Sequence, residues 1–409
     1  MPPLMIVIVI VLIDLLGFAL VMPLLPGLAK VHHLSDTQVG LLFGAYPLCQ
    51  LVAGPILGRL SDRYGRRPVL IFSQVGTAIS FVIMAFSNGF GMLLLGRMLD
   101  GASGGNILVA QAYVADVTKP ENRARGMGLI GAAFGVGFVL GPLLGGLLLS
   151  LPVAPEWKFR IPFLLAAAFS TAAWLLAWFR LPESLPAVLA ERQHARVVSW
   201  KGVFETLHDR RIGGLVLVGA LTVTAWAALE GTFTLFLGKR LNWETGKAAY
   251  AFALLGFVSA LIQGGLIRRL VPRFGEAKLA LAGLAIVAVG YAVMAGVSGV
   301  STLIVAIILC GVGQGLASPS IQGLLSRVTS PSDQGSVFGT LISAQTLARV
   351  INYPAAAYLL QTYGAGAPYW ESAAVAVVTL AIAIVVMRGF PAKSKSDAVS
   401  ALAEVENAA

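Results

Sequence analysis

The 409-residue chain is 57% hydrophobic and 12% charged, against about 25% charged in a typical soluble domain, which excludes an ordinary soluble protein. Its net charge of +10 comes from short basic segments between apolar runs, so it indicates membrane topology rather than nucleic-acid binding. The sequence shows no nucleophile elbow, phosphate-binding loop or metal-spaced His or Cys cluster. We therefore expect an integral membrane protein that is not an enzyme and has no metal or cofactor.

Apolar runs of about 20 residues, long enough to cross a bilayer as α-helix, recur along the chain. The predicted spans are twelve, at 4–28, 37–60, 68–87, 90–115, 125–151, 159–180, 212–238, 246–268, 276–297, 300–326, 336–363 and 367–389. Lys and Arg gather between alternate spans, as they do on the cytoplasmic side of membranes. We expect both termini in the cytoplasm and a bacterial inner membrane.

A long polar segment at 181–211 divides the spans into two sets of six. This division predicts a first six-helix bundle at 1–180, a cytoplasmic loop, a second bundle at 212–389 and a disordered tail at 390–409. Within the loop, residues 200–207 are typical either of an interfacial amphipathic helix or of a plain linker.

The two sets of spans are related in sequence. Glycine, arginine and proline positions recur at a nearly constant spacing of 210 to 211 residues, as in Gly54 and Gly264, Arg63 and Arg273, and Pro120 and Pro331. Parallel six-helix repeats are the plan of one class of transporters, in which a central site opens to each side in turn. The predicted fold is all-α, with two pseudo-symmetric bundles around a central cavity.

Five ionisable side chains fall well inside predicted spans: Asp14, Arg97, Asp100, Glu230 and Arg349. Each costs roughly 2.5–3.5 kcal/mol at the middle of a helix, so such residues face a polar cavity or each other. We interpret them as proton- and substrate-coupling residues.

Asp14 is the first candidate, because burial near mid-membrane favours its neutral form and lets it carry a proton. The alternative is a structural salt bridge to Arg97, whose spacing also allows a local pair with Asp100. Glu230 lines the cavity, forms an outer gate or extends to the membrane surface. Arg349 is a candidate for holding an anionic substrate group.

The polar segment at 58–68, GRLSDRYGRRP, resembles the signature between helices 2 and 3 of the major facilitator superfamily nearly residue for residue. The first half is similar to twelve-helix drug/proton antiporters, and most to the tetracycline-efflux type. This similarity runs through Asp14 and the stretches 22–26, 95–101 and 114–116. It loosens in the second half, and Ser80, Ser259 and Val287 stand where that family has ionisable groups.

The resemblance implies a cytoplasmic gate in which Asp62 caps a helix of the other half and Arg66 pairs with Asp116. The full set of expected gate residues is Gly58, Asp62, Arg63, Gly65, Arg66, Arg67, Asp116 and Arg123. It also implies an antiporter motif in helix 5, formed by Gly137, Gly141, Pro142, Gly145 and Gly146. That motif is associated with exporters, and its four-residue spacing permits close helix packing.

Neutral polar side chains add hydrogen-bonding groups to an otherwise apolar cavity, which suits small amphipathic organic molecules. The candidates are Tyr46, Gln50, Asn106, Gln111, Gln263, Gln314 and Asn352. Interhelical hydrogen bonding is the alternative role for each. We expect a monomeric antiporter that exports such compounds and draws its energy from the proton gradient. A symporter, a uniporter, a lipid-like-molecule transporter and a non-transporting receptor or scaffold are the alternatives.

Overall fold

The computed structural model describes residues 2–119, 122–185, 208–330 and 333–388, without the side chains of 123–125. These residues form twelve helical units, in agreement with the predicted spans. The helices are α1 Pro3–Val31, α2 Asp36–Tyr64, α3 Arg66–Ala85, α4 Phe90–Ser103 and Asn106–Val117, α5 Arg123–Leu149, α6 Arg160–Arg180, α7 Arg210–Leu241, α8 Thr245–Phe274, α9 Glu276–Ala295, α10 Val300–Val328, α11 Gln334–Tyr363 and α12 Ala367–Met387. A single 3-10 turn, Pro155–Trp157, precedes α6. The expected amphipathic segment at 200–207 and the tail at 390–409 lie outside the described residues.

Ten of the described helices are long and apolar enough to cross a membrane. The two exceptions are α4, which is divided, and α11, which is long but more polar. The prediction of one continuous span at 90–115 was wrong, because α4 breaks at Gly104 and Gly105. Glycine is a poor helix former, and Gln50 Nε2 donates to the freed Gly104 carbonyl oxygen at 2.9 Å.

Within the first half, α5 packs closely on α1. A Cβ placed on Gly141 would lie 2.7 Å from the Ala19 Cβ, and Gly137 and Gly145 likewise face α1. Gly137, Gly141 and Gly145, which we call the glycine stripe, therefore bring the backbones of α5 and α1 together, as small residues do in membrane bundles. Gly146 differs, because it faces Tyr250 on α8 of the second half.

The two halves meet along two helix pairs, α2 with α11 and α5 with α8. We call the side with the 58–68 segment, the start of α1 and the end of α12 the basic face, and the other side the opposite face. At the opposite face, the Thr37 backbone N–H and hydroxyl both donate to Gln361 Oε1, at 3.0 and 2.9 Å. Lys239 forms an ion pair with Asp36 there. The halves are thus joined at the opposite face.

Toward the basic face α5 and α8 separate. Along α5 and α8, a Cβ on Gly256 would lie 2.6 Å from the Phe138 carbonyl oxygen, and one on Gly135 would lie 3.5 Å from Ala260. One turn further on, Gly131 and Gly264 have no neighbouring atom within 4 Å of such a Cβ. The cleft between the halves therefore opens toward the basic face.

Candidate functional site

Asp14 lies near the middle of α1 and is 8% exposed. Asn106 Nδ2 donates to its Oδ2 at 2.6 Å. Its other oxygen, Oδ1, is buried and has no hydrogen-bond partner among the described residues. Asp14 is thus a buried carboxyl group beside two side-chain amides, those of Asn106 and Gln74, with no cation on it among the described residues.

The break in α4 explains how Asn106 reaches Asp14. Asn106 is the first residue of the second α4 segment, directly after Gly105. Its Oδ1 accepts from the Ile107 backbone N–H at 2.8 Å, which fixes the side-chain amide and leaves Nδ2 for Asp14. Irregular backbone at membrane depth is tolerated where protein covers it or where it lines a cavity. The interruption therefore builds part of the site.

Arg97 does not pair with Asp14. Its Nη1 donates to Asp100 Oδ2 at 2.9 Å, and both side chains are buried. Its guanidinium carbon lies 4.8 Å from the centroid of the Tyr46 ring, a favourable cation–π geometry. The local pair expected from the three-residue spacing is formed, and the alternative bridge to Asp14 is not.

A second polar cluster lies in the other half, around Glu230 on α7. Glu230 Oε2 accepts from Arg349 Nε at 3.2 Å and from the Tyr353 hydroxyl at 2.8 Å. Its Oε1 accepts from Trp226 Nε1 at 2.8 Å. Since Glu230 is 6% exposed, the interpretation that it extends to the membrane surface was wrong. The Tyr353 ring also contacts Phe43 on α2, which places this cluster beside the contact between the halves.

The remaining polar candidates divide into two groups. Gln50, Asn106 and Asn352 make interhelical hydrogen bonds, the last to the Thr224 carbonyl oxygen at 2.5 Å. Gln314 is buried with an unpartnered Oε1, while Gln111 is half-buried and Gln263 is exposed. Interhelical bonding therefore accounts for the first group.

Glu371, on the first turns of α12, was not among the site residues predicted from the sequence. Its Oε2 is buried and has no hydrogen-bond partner among the described residues, and the Asn352 amide lies beside its carboxyl group. An acidic residue inside the predicted span at 367–389 was the available signal. Its nearness to the end of that span concealed how deep it lies.

The 58–68 segment forms its polar contacts within the first half. Arg66 Nη1 lies 2.6 Å from Asp62 Oδ1, and its Nε lies 3.1 Å from Asp116 Oδ2. Among the described residues, the expected contact of Asp62 with the second half is absent. The physical reason is that the halves are apart at this face, and Asp62 instead pairs with Arg66 one turn along.

Glu183, just after α6, was not expected in this network. Its two carboxylate oxygens accept the backbone N–H groups of Arg66 and Arg67, at 2.9 and 3.1 Å, and so cap the start of α3. Gly65 has φ +100°, and a Cβ there would lie 2.4 Å from Glu183 Oε2. Glycine at position 65 thus permits both the turn and the cap.

The other expected gate residues have few partners. Gly58 has open space around it, and the Arg63 guanidinium lies over the Tyr64 ring. Arg67 Nη2 donates to the Trp178 carbonyl oxygen at 2.6 Å. The side chain of Arg123 lies outside the described residues.

Comparison with known proteins identifies the family. A sequence profile of the Major Facilitator Superfamily matches residues 7–274 and 266–406. The chain belongs to the major facilitator superfamily. Its fold is that of a membrane transporter, and members of this superfamily are not enzymes.

Within the superfamily, the chain is similar to two relatives and one solved structure that can be named. The chain is 34% identical over 374 residues to the class C tetracycline resistance protein of Escherichia coli, covering 89% of this chain and 90% of that protein. It is 31% identical over 379 residues to the class H protein of Pasteurella multocida, covering 90% of each. The crystal structure of the human organic anion transporter MFSD10 superposes with a TM-score of 0.70 at 27% identity, covering 93% of this chain and 98% of that one.

Proposed function

We propose that this superfamily member is a proton-coupled antiporter that exports small amphipathic organic compounds by alternating access. Asp14 carries the proposal, since it is a buried carboxyl group with no cationic partner among the described residues. The protein would act as a monomer in a bacterial inner membrane, with the basic face toward the cytoplasm.

The proton step follows from the surroundings of Asp14. Removing an unpaired carboxylate from water costs several kcal/mol, so the closed site favours the neutral acid. When the cleft admits water, the charged form is solvated and the proton leaves. A proton moving down the membrane potential supplies about 2.3 kcal/mol per 100 mV, which is comparable to that cost.

The remaining polar groups have proposed parts in the same cycle. Arg97 and Asp100 adjust the charge next to Asp14, and Glu230 and Arg349 do so in the second half. At the basic face, the Arg66 contacts with Asp62 and Asp116 hold the gate segment in its open arrangement. Closure would then free Asp62 to meet the second half.

Export is the proposed direction because of the glycine stripe that joins α5 to α1 and because two similar proteins are named as tetracycline resistance proteins. Tetracycline is therefore the first compound to test. The site's few polar groups, set among Phe, Tyr and Leu side chains, are consistent with an amphipathic substrate.

A second candidate function is transport of amphipathic organic anions. The Arg349 side chain is 33% exposed, and Glu230 accepts from its Nε alone, so its terminal nitrogens can meet an anion. The similar human protein of solved structure is titled an organic anion transporter. Fluorescein, an amphipathic anion, is a suitable probe for this class.

The test uses purified protein in liposomes, with tetracycline and fluorescein as probes and an imposed pH gradient. We expect the wild type to move one probe against its gradient, and an uncoupler or Asp14→Asn to abolish that movement. Glu244→Gln, an exposed acid on the opposite face, is the matched control and should transport normally.

Each other result contradicts part of the proposal. Transport that persists after the pH gradient collapses indicates a uniporter, and accumulation with the proton flux indicates a symporter. Wild-type protein that moves neither probe, nor any member of a panel of dyes, lipids and sugars, would support a receptor or scaffold.

A further inference from the structure

Glu371 lies deep in the second half, although it is close to the start of α12. Its neighbours on α12 fix its depth. The Ser372 hydroxyl donates to the Ala225 carbonyl oxygen at 3.0 Å, and the Thr232 hydroxyl donates to the Tyr369 hydroxyl at 3.3 Å. Ala225 is at the middle of α7, which spans residues 210–241. Glu371 is therefore an intramembrane acid, not a residue of the membrane surface.

The groups around the Glu371 carboxyl group would stabilise a negative charge on it only weakly. Its Oε2 is buried without a hydrogen-bond partner among the described residues. The Asn352 amide lies beside it. Tyr291 on α9 is close enough to interact electrostatically with it, and the Tyr291 hydroxyl is buried and unpartnered among the same residues.

The only guanidinium in this cluster, among the described residues, already has a partner. Arg349 lies one turn from Asn352 on α11 and pairs with Glu230 on α7, which also receives the Tyr353 hydroxyl and the Trp226 indole N–H. Among the described residues, this cluster thus holds two carboxyl groups, and its one guanidinium bonds to Glu230 and not to Glu371. If both were ionised, the cluster would carry an uncompensated negative charge inside the membrane.

The same arrangement occurs around Asp14 in the first half. There, Arg97 pairs with Asp100, and Asp14 is left without a cation. Among the described residues, buried carboxylate oxygens without a hydrogen bond occur at two positions only, Asp14 Oδ1 and Glu371 Oε2. Each half therefore contains one paired acid and one unpaired acid.

We propose that Glu371 is a second proton-binding carboxyl group, which holds its proton while Arg349 is paired with Glu230. An unpaired ionised carboxylate there would cost several kcal/mol, whereas a neutral acid carries no charge and offers an O–H donor to a polar neighbour such as the Asn352 side chain. The O–H bond of the carboxyl group is the bond that forms or breaks in this step. The use of this proton in transport rests on the proposed function, but its presence on Glu371 does not.

Infrared difference spectroscopy of the purified protein tests the assignment without any substrate. Difference spectra are recorded on protein films as the pH is changed from alkaline to neutral. The C=O stretching band of a protonated carboxyl group is identified by its frequency shift in heavy water. We expect the wild type to show such absorption, and Glu371→Gln to lose a component of it, the Glu371 band, that Asp14→Asn and Ser372→Ala retain. Glu371→Asp, which keeps a carboxyl group, should shift the band, and thermal unfolding verifies that each variant is folded.

An identical band in wild type and Glu371→Gln would overturn the proposal. A band that is present in the wild type but lost only with Asp14→Asn would also overturn it, because the neutral acid would then be Asp14 alone. If the liposome experiment shows no proton-driven transport, the proposed function is wrong, but the Glu371 band is still expected. The two failures are therefore distinguishable.

Discussion

In the part of the chain that the structure describes, each half holds two intramembrane carboxyl groups and one guanidinium, but the two halves arrange them differently. In the first half, Arg97 and Asp100 pair within one helix, three residues apart. In the second half, Arg349 and Glu230 pair between α11 and α7, with a hydroxyl and an indole N–H completing the acid's bonds.

The difference bears on which helices can move. A pair within one helix remains intact however that helix moves relative to its neighbours. A pair between two helices joins them, and here it joins α7 to α11, the helix that contacts α2 of the other half. We infer that the second cluster stabilises the bundle, whereas the first leaves α1 and α4 free to respond to the protonation of Asp14.

The largest expected effect is on stability, from Arg349→Gln. This change leaves Glu230 buried without a cation, and breaking one side of a buried pair typically costs about 3–5 kcal/mol. Denaturant unfolding in detergent micelles measures the loss. The double variant Glu230→Gln/Arg349→Gln should recover most of it, and a double variant as unstable as the single one would show that the pair is not the cause.

A smaller loss is expected from Asn106→Leu, which removes the 2.6 Å hydrogen bond to Asp14 Oδ2. A buried acceptor left without its partner costs about 1–3 kcal/mol, again measured by denaturant unfolding. In an Asp14→Leu background the same change should cost much less, because no acceptor remains. Equal costs in both backgrounds would mean that the hydrogen bond between α1 and α4 contributes little.

The smallest effect is expected from Asp14→Asn, whose unfolding free energy should stay within about 1 kcal/mol of wild type. Asparagine has the same shape and can still accept from Asn106, and Asp14 has no cationic partner to lose among the described residues. The same unfolding measurement tests this. A loss comparable to that of Arg349→Gln would indicate that Asp14 is ionised and paired with a cation. The first half would then no longer differ from the second in having an acid that can change protonation without loss of stability.

Several parts of this organisation could be predicted from the sequence. The apolar runs correspond to the twelve helical units, and the i, i+3 spacing gave the Arg97 and Asp100 pair. The four-residue glycine spacing in α5 corresponds to its close contact with α1. These features are local, because a helix brings residues three and four apart together whatever surrounds it.

Other parts could not be predicted in this way. Gly104 and Gly105 resemble the many other glycines in the predicted helices, so the sequence did not indicate a break there. The break depends on Gln50, a distant residue on α2 that donates to the freed Gly104 carbonyl oxygen. Glu183 lies far along the chain from the helix it caps. Glu371 lies near the start of its predicted span, and its depth follows only from the packing of α12 against the middle of α7.

The sequence by itself determined that this chain crosses the membrane repeatedly, as two related sets of helices with a few charges among them, because hydrophobicity and helical periodicity act over short distances. Only the tertiary structure decided which acids have cations and which do not, because partner choice depends on how distant helices tilt and meet. It also decided that the cleft opens at the basic face, since that follows from where glycines on facing helices touch and where they separate.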